Sequence, residues 1–163
     1  MRLETRRLLL RPFTTEDLPY AVYLTDPAAM RYVEPAMNPV SAMVFLREYA
    51  LCEKPLIWAL EYKETGLLLG HAIFHTFDTP DAYELGWVLD SRVWNQGVAT
   101  EIGRAMIVDA FARMEARRVV AETVPHNGAA HAVIRKLGLR PCGEVGGLQQ
   151  FELRREDFCS CRG

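Results

Sequence analysis

From Gln96 to Met114, apolar residues return at Val98, Ile102, Met106, Ala110 and Met114, with every gap equal to four. That spacing lays them along one face of a helix of about five turns. Residues 7–13, 56–62, 67–77 and 82–90 are instead dense in apolar and aromatic side chains, and they read as strands. Glu64-Thr65-Gly66 turns 56–62 back into 67–77 as a hairpin, and Asp78-Thr79-Pro80-Asp81 leads into 82–90. Helix starts are marked near the front of the chain by Thr14 with Glu16 and Asp17 behind it, by Asp26-Pro27, and by Asn38-Pro39. The last of these is expected to run to about residue 52. Beyond the long helix, 118–124 reads as a strand and 127–137 as a helix stopped by Gly138. Two final strands, 139–145 and 148–153, are joined by Gly146-Gly147. The order predicts an α+β layered fold: a mixed central sheet of about seven strands flanked by helices.

Composition narrows the class without naming it. A chain of 163 residues, half of them hydrophobic and a quarter charged, suits one soluble domain spanning 1–163. The net charge of −2 gives no basic field for nucleic acid or an anionic membrane. No apolar run nears the roughly 18 residues of a membrane helix, and Leu8-Leu9-Leu10 is too short for a signal sequence. A cytoplasmic protein is expected. Cys52, Cys142, Cys159 and Cys161 lack C-x-x-C spacing and read as free thiols, with no metal site.

The richest chemical signal is Trp94-Asn95-Gln96-Gly97-Val98-Ala99-Thr100-Glu101, where a strand gives way to the long helix. Small residues at such a junction leave first-turn N–H groups unpaired at the positive end of the helix dipole, a cradle for a phosphate. It is not a Walker loop, because no Gly-Lys-Ser/Thr follows, nor a G-x-G-x-x-G dinucleotide turn. It resembles the coenzyme A pyrophosphate loop of the GNAT superfamily of N-acetyltransferases, Q/R-x-x-G-x-G/A, with Gly97 and Ala99 at the small positions. Trp94 departs from the opening Gln/Arg, yet Trp is typical of the branch that acetylates ribosomal-protein N-termini. Asn127, Lys136 and Gly138 resemble a second signature of the family, N-x-x-S followed by K-x-G-F. Ala130 replaces its Ser and Leu139 its Phe. Glu4-Thr5-x-Arg7-Leu8-x-Leu10-Arg11-Pro12 and Phe151-x-Leu153-x-x-Glu156-Asp157-Phe158 also look like the ribosomal branch.

The resemblance implies a sheet splayed in the middle, with coenzyme A's pantetheine arm entering where strand 84–89 parts from the strand beginning near Arg118. Main-chain groups of Trp87, Val88 and Leu89 would pair with that arm, amides of Gln96, Gly97, Val98, Ala99 and Thr100 would hold the diphosphate, and the Asn127 amide would meet the pantetheine. It implies direct transfer from acetyl-CoA to a primary amine in a ternary complex. The acceptor would be a protein N-terminus. Alternatives are a small amine such as a polyamine or antibiotic, or a non-catalytic acyl-CoA sensor on the same fold. A homodimer is compatible with either.

The chemistry sets what the site must supply. Freeing an ammonium of pKa about 10.4 at pH 7 costs about 4–5 kcal/mol, against about 1 kcal/mol for a protein α-amine. The resemblance implies a base on strand 84–89, which makes Glu84 the candidate, working through ordered water. The oxyanion would be met by a strand amide, that of Val88. Ala130 leaves no hydroxyl for a general acid. His71, Ile73 and His75 share a strand face by period two and are candidates to line the acceptor site or assist proton removal. His126 is a second base candidate, and His131 is expected to face solvent. Arg92, Arg104 and Lys136 are candidates for a 3′-phosphate, and segment 30–43, with Tyr32, Glu34, Met37 and Asn38, for the acceptor pocket.

Overall fold

A computed structural model describes residues 1–160, with side chains to residue 158. Cys161 and the side chain of Cys159 lie outside the described residues. Eight strands form one mixed sheet in the order β1-β2-β3-β4-β5-β6-β8-β7. They are β1 Leu3–Glu4, β2 Leu8–Arg11, β3 Ile57–Tyr62, β4 Leu68–Thr76, β5 Ala82–Leu89, β6 Arg118–Thr123, β7 Arg140–Val145 and β8 Leu148–Arg154. The α-helices are α1 Pro27–Met30, α2 Pro39–Tyr49, α3 Val98–Ala112, α4 Gly128–Lys136 and α5 Arg155–Ser160. The eighth strand beyond the seven expected is β1, whose two residues are too few to show alternation.

The fold divides into two compact units, residues 1–73 with 87–102, and residues 74–86 with 103–163. In the first, β1 to β4 pair antiparallel in sequence. Its core gathers Phe13, Tyr23, Leu24, Met30, Leu46, Ile57 and Val88. The proline-marked helix starts form as their chemistry dictates. Asp26 accepts from the Ala28 N–H and Asn38 from the Ser41 N–H, each at 2.9 Å. After Thr14 the chain forms a 3₁₀ turn, residues 15–20, tied by a hydrogen bond of 2.8 Å from the Thr14 N–H to the Asp17 carboxylate. Asp17 also takes two hydrogen bonds from Arg11, which reaches Glu61 as well. Burial alone would raise the Asp17 pKa, but Arg11 and Thr14 outweigh it and hold the carboxyl below its ordinary value.

Gly70 shows why this unit admits no side chain at one point of β4. Its φ is +141°, and a Cβ there would lie 2.1 Å from the Val88 carbonyl oxygen and 2.9 Å from the Leu89 Cα. Only glycine tolerates such an approach. β5 is thereby locked against β4 at Val88.

In the second unit β5 and β6 run parallel, pairing Ala82 with Arg118, Tyr83 with Val119 and Glu84 with Val120. The ladder ends there, although β6 continues to Thr123 along β8. β7 and β8 form the closing hairpin around Gly146-Gly147. Along α3, Val98, Ile102, Met106 and Ala110 of the expected stripe are buried, while Met114, its fifth member, lies past the helix end and is half-buried. A Cβ on Gly103 would meet Leu137 at 2.6 Å, so α3 needs a bare backbone at that turn.

Gly70→Ala is expected to destabilise the protein by about 3 kcal/mol or more, because both the left-handed φ and a backbone oxygen oppose the methyl group. Urea denaturation of the two proteins measures this; a cost below 1 kcal/mol would contradict the Gly70–Val88 packing.

Candidate functional site

Within the first unit, the turn opening α3 has the geometry of an anion cradle. Asn95 and Gly97 both adopt left-handed backbone, with φ of 60° and 77°. Alternating the hand of successive residues points their N–H groups into one concavity. Helix α3 begins at Val98, and the Glu101 N–H closes the first turn on the Gly97 carbonyl at 2.9 Å. The N–H groups of Gly97, Val98, Ala99 and Thr100 therefore precede the helical ladder. Gly97 has no side chain with which to cap them, and a Cβ there would meet nothing nearer than Arg7 Nη2 at 3.6 Å.

The turn is held by its carbonyls and side chains, not its amides. Arg7 Nη2 donates to the Gln96 carbonyl at 2.9 Å, Tyr62 Oη to Gln96 Oε1 at 3.0 Å, and Gln96 Nε2 to the Arg92 carbonyl at 3.0 Å. Glu101, which would repel an anion, is turned onto Thr5 Oγ1 at 2.6 Å, the Arg7 N–H at 3.0 Å and Arg7 Nε at 2.7 Å. Burial would raise its pKa, but these donors win and hold it below the ordinary value. Arg7 was not read from the sequence as part of this site. It lies 94 residues from Glu101, and its signal was its place in the opening Thr5-x-Arg7-Leu8 motif. Trp94, at the position that departs from the family pattern, donates Nε1 to the Leu89 carbonyl at 3.0 Å and fastens the loop to the end of β5.

Two of the main-chain groups expected to meet the ligand have neighbours within the chain. The Val88 carbonyl lies against Gly70, and the Asp90 N–H donates to the Leu69 carbonyl at 2.8 Å. Main-chain groups of one strand residue share an edge, so those of Val88 face β4, while those of Trp87 and Leu89 face away from it. The Asn127 N–H donates to the Val124 carbonyl at 3.1 Å, and its side chain accepts from the Ala130 N–H at 3.2 Å. Asn127 is thus employed in starting α4.

In the second unit lies Glu84, the expected base. His75 Nε2 lies 3.3 Å from Glu84 Oε2, and both side chains are about a fifth exposed. Burial raises the Glu84 pKa and Glu122 on β6 adds to this, while the His75 charge opposes it. His71, two turns of the pleat earlier on β4, belongs to the other unit and to different chemistry. It is 2 % exposed and its Nδ1 lies 2.8 Å from Tyr23 Oη. Burial pushes its pKa down to about 3, so it is a neutral core group rather than a base. His131, expected in solvent, is also buried, with its ring edge-on to Phe151 at 5.3 Å. His126 is exposed. Arg92 gives two side-chain hydrogen bonds to Asp90, whereas Arg104 and Lys136 lie exposed.

Segment 30–43 contributes Glu34, Met37, Val40 and Ser41 to an open groove of about 460 Å³, completed by Val44, Phe45, Glu48 and Tyr49 of α2. Among the described residues there is no cluster of three metal-ligating side chains, and no helix is long and apolar enough to cross a membrane.

Comparison with known proteins places this architecture in a class. Residues 7–140 match the family model of the acetyltransferase (GNAT) domain, and the chain belongs to that family. A Bacillus subtilis (strain 168) protein described as an uncharacterized N-acetyltransferase, YnaD, is 30 % identical over 145 residues, covering 86 % of this chain and 83 % of the relative. The crystal structure of a GNAT-family acetyltransferase from Bacillus anthracis superposes with a TM-score of 0.88 at 24 % identity, over 96 % of this chain and 99 % of that one. Spermidine N-acetyltransferase from Vibrio cholerae, solved with CoA and spermine, does so with a TM-score of 0.76 at 12 % identity, over 95 % and 99 % of the two chains. The chain is an acetyltransferase, of a family that uses acetyl-CoA and acts on amines.

The His71 site makes the fold sensitive to acid. Its folded pKa lies below the unfolded value near 6.5, so its contribution is complete above that pH and is lost as pH falls toward 3. Stability from urea titrations should fall between pH 6 and 4 with a component of about 1.4 kcal/mol per pH unit. His71→Gln should remove that component; an unchanged slope would show that His71 protonates freely in the fold.

Proposed function

We propose that the chain moves an acetyl group from acetyl-CoA to a primary amine by direct attack within a ternary complex, as a single catalytic domain spanning 1–163. The observation that carries this reading is the left-handed turn at Asn95 and Gly97, whose N–H groups precede the α3 ladder while Arg7 and Tyr62 hold it from behind. Its amides, Gly97 through Thr100, suit the diphosphate. Main-chain groups of Trp87 and Leu89, which face away from β4, suit the pantetheine arm, although the Leu89 carbonyl already accepts from Trp94. Acetyl-CoA supplies the thioester; the chain supplies the grip and the handling of protons.

Glu84 is the base. Burial and Glu122 make its carboxylate a better proton acceptor than a free glutamate. The lack of a hydroxyl at Ala130 is tolerable, because a thiol of pKa about 8.5 leaves as thiolate with little help. The acceptor is read as a cationic amine borne on an apolar body, a protein N-terminus by the branch resemblance. A polyamine is the second reading, favoured by Glu34 and Glu48 on the groove beside Met37, Val40 and Phe45. This division of labour also separates the enzyme from a non-catalytic sensor, which would need the cradle but not the base.

Incubation with acetyl-CoA and a panel of peptide N-termini and polyamines, read by free-thiol release and mass spectrometry, tests the activity. Glu84→Gln should lower kcat by about 10²-fold or more while leaving the thermal shift produced by coenzyme A unchanged. Gly97→Val should abolish that shift and the activity with it, because the branched side chain cannot adopt the left-handed turn without strain. A Gly97→Val protein that still binds coenzyme A normally would remove the cradle from the account.

A further inference from the structure

We propose that His75 and Glu84 act as one proton acceptor, sharing the proton between the ring and the carboxylate; this rests on reading Glu84 as the base. His75 Nδ1 lies 2.8 Å from the Thr76 carbonyl oxygen. A carbonyl only accepts, so Nδ1 carries the hydrogen. The neutral ring therefore presents a lone pair at Nε2, and what Nε2 faces, at 3.3 Å, is Glu84 Oε2. A lone pair against a carboxylate oxygen is repulsive, and a single proton placed between them turns the repulsion into a charge-assisted hydrogen bond. The first proton taken up is thus held by the two residues together.

The surroundings reinforce this. From β6 the carboxylate of Glu122 faces Glu84 and raises its proton affinity. Glu122 is itself met from β8 by the neutral amide of Gln150, whose Nε2 donates at 2.8 Å. Arg118, the cation on β6, is engaged by Asp78 and Glu152. Tyr83, the titratable neighbour on β5, stacks its ring on Phe74. The cation facing Glu84 is then the imidazolium that forms when the pair takes up its proton.

In the reaction the empty pair removes one proton from the acceptor ammonium, the N–H bond breaking and the proton settling between Oε2 and Nε2. The freed nitrogen lone pair forms the C–N bond at the thioester carbonyl. The C–S bond then breaks with its electron pair on sulfur, and the thiolate takes the second proton, which the nitrogen sheds. The products are the amide and free coenzyme A, and the pair returns its proton to solvent. Only the empty pair is competent, so kcat/KM rises with pH through one titration.

His75→Gln separates positioning from proton sharing. Its side-chain amide donates to Oε2 and keeps the carboxylate in place, but it stabilises the anion and cannot share a proton. The acidic limb of the kcat/KM profile should move to lower pH and the plateau should fall, to a level between wild type and Glu84→Gln, with KM for acetyl-CoA unchanged. A wild-type limb and plateau in His75→Gln would overturn the proposal. A second measurement needs no turnover. Nitrogen-15 NMR of the histidine rings in the full chain should show the Nδ1–H tautomer for neutral His75, and a ring titration in step with the Glu84 carboxyl carbon that is lost in Glu84→Gln. A neutral Nε2–H tautomer, or independent titrations, would overturn the pair whatever the kinetics. Full kcat in Glu84→Gln with the linked titration intact in the wild-type protein would instead overturn the reading of Glu84 as the base.

Discussion

Main-chain N–H groups can receive a ligand only if they lack partners of their own, and a turn without amide hydrogen bonds needs some other force to fix it. That conflict governs the start of α3. It is resolved by holding the turn through its carbonyls and side chains: Arg7 on the Gln96 carbonyl, Tyr62 on the Gln96 side chain, and Gln96 on the Arg92 carbonyl. Glu101 would add a negative charge to the same turn. Hydrogen bonds from Thr5 and Arg7 absorb that charge, and the acid becomes the anchor that ties the turn between β1 and β2 to the helix. The cradle's amides stay free because everything around them is already spoken for.

The two histidines of β4 show how little the residue type decides. His71 and His75 sit at even spacing on one strand. At His71 burial removes water and Tyr23 supplies a single neutral partner, so the charged form is driven out. At His75 the ring meets a carbonyl on one nitrogen and a carboxylate on the other. Desolvation keeps one a neutral core group beside Tyr23; the other faces the carboxylate of Glu84.

This is also where the sequence stopped being legible. Periodicity recovered the long helix, the hairpin and the closing strands, because those depend on neighbours three, four or two residues away. The capping chemistry at Asp26 and Asn38 was local too, and it was readable. Burial of His131 depends on Phe151, that of His71 on Tyr23, and the place of Arg7 on a glutamate 94 residues further on. No window of local pattern contains such pairs. The edge of β5 that each main-chain group faces is likewise decided by Gly70 on the neighbouring strand. Asn127 was visible as a family residue, yet its capping role in the structure is the one its chemistry alone would have given.

The same distinction bears on what a motif reports. Thr5 and Arg7 belong to the opening segment that resembles the ribosomal branch, and both are employed in seating Glu101 under the cradle. That part of the resemblance therefore speaks for how the diphosphate end is built and says little about the acceptor. The acceptor is constrained instead by proton cost. An α-amine needs about 1 kcal/mol of help at neutral pH and a polyamine nitrogen about 4–5. A lone exposed carboxylate suffices for the first, whereas a carboxylate whose proton affinity is lifted by burial and by Glu122 is better matched to the second. The electrostatics around Glu84 thus weigh toward an amine that is harder to deprotonate than a protein N-terminus, the opposite direction from the branch motif.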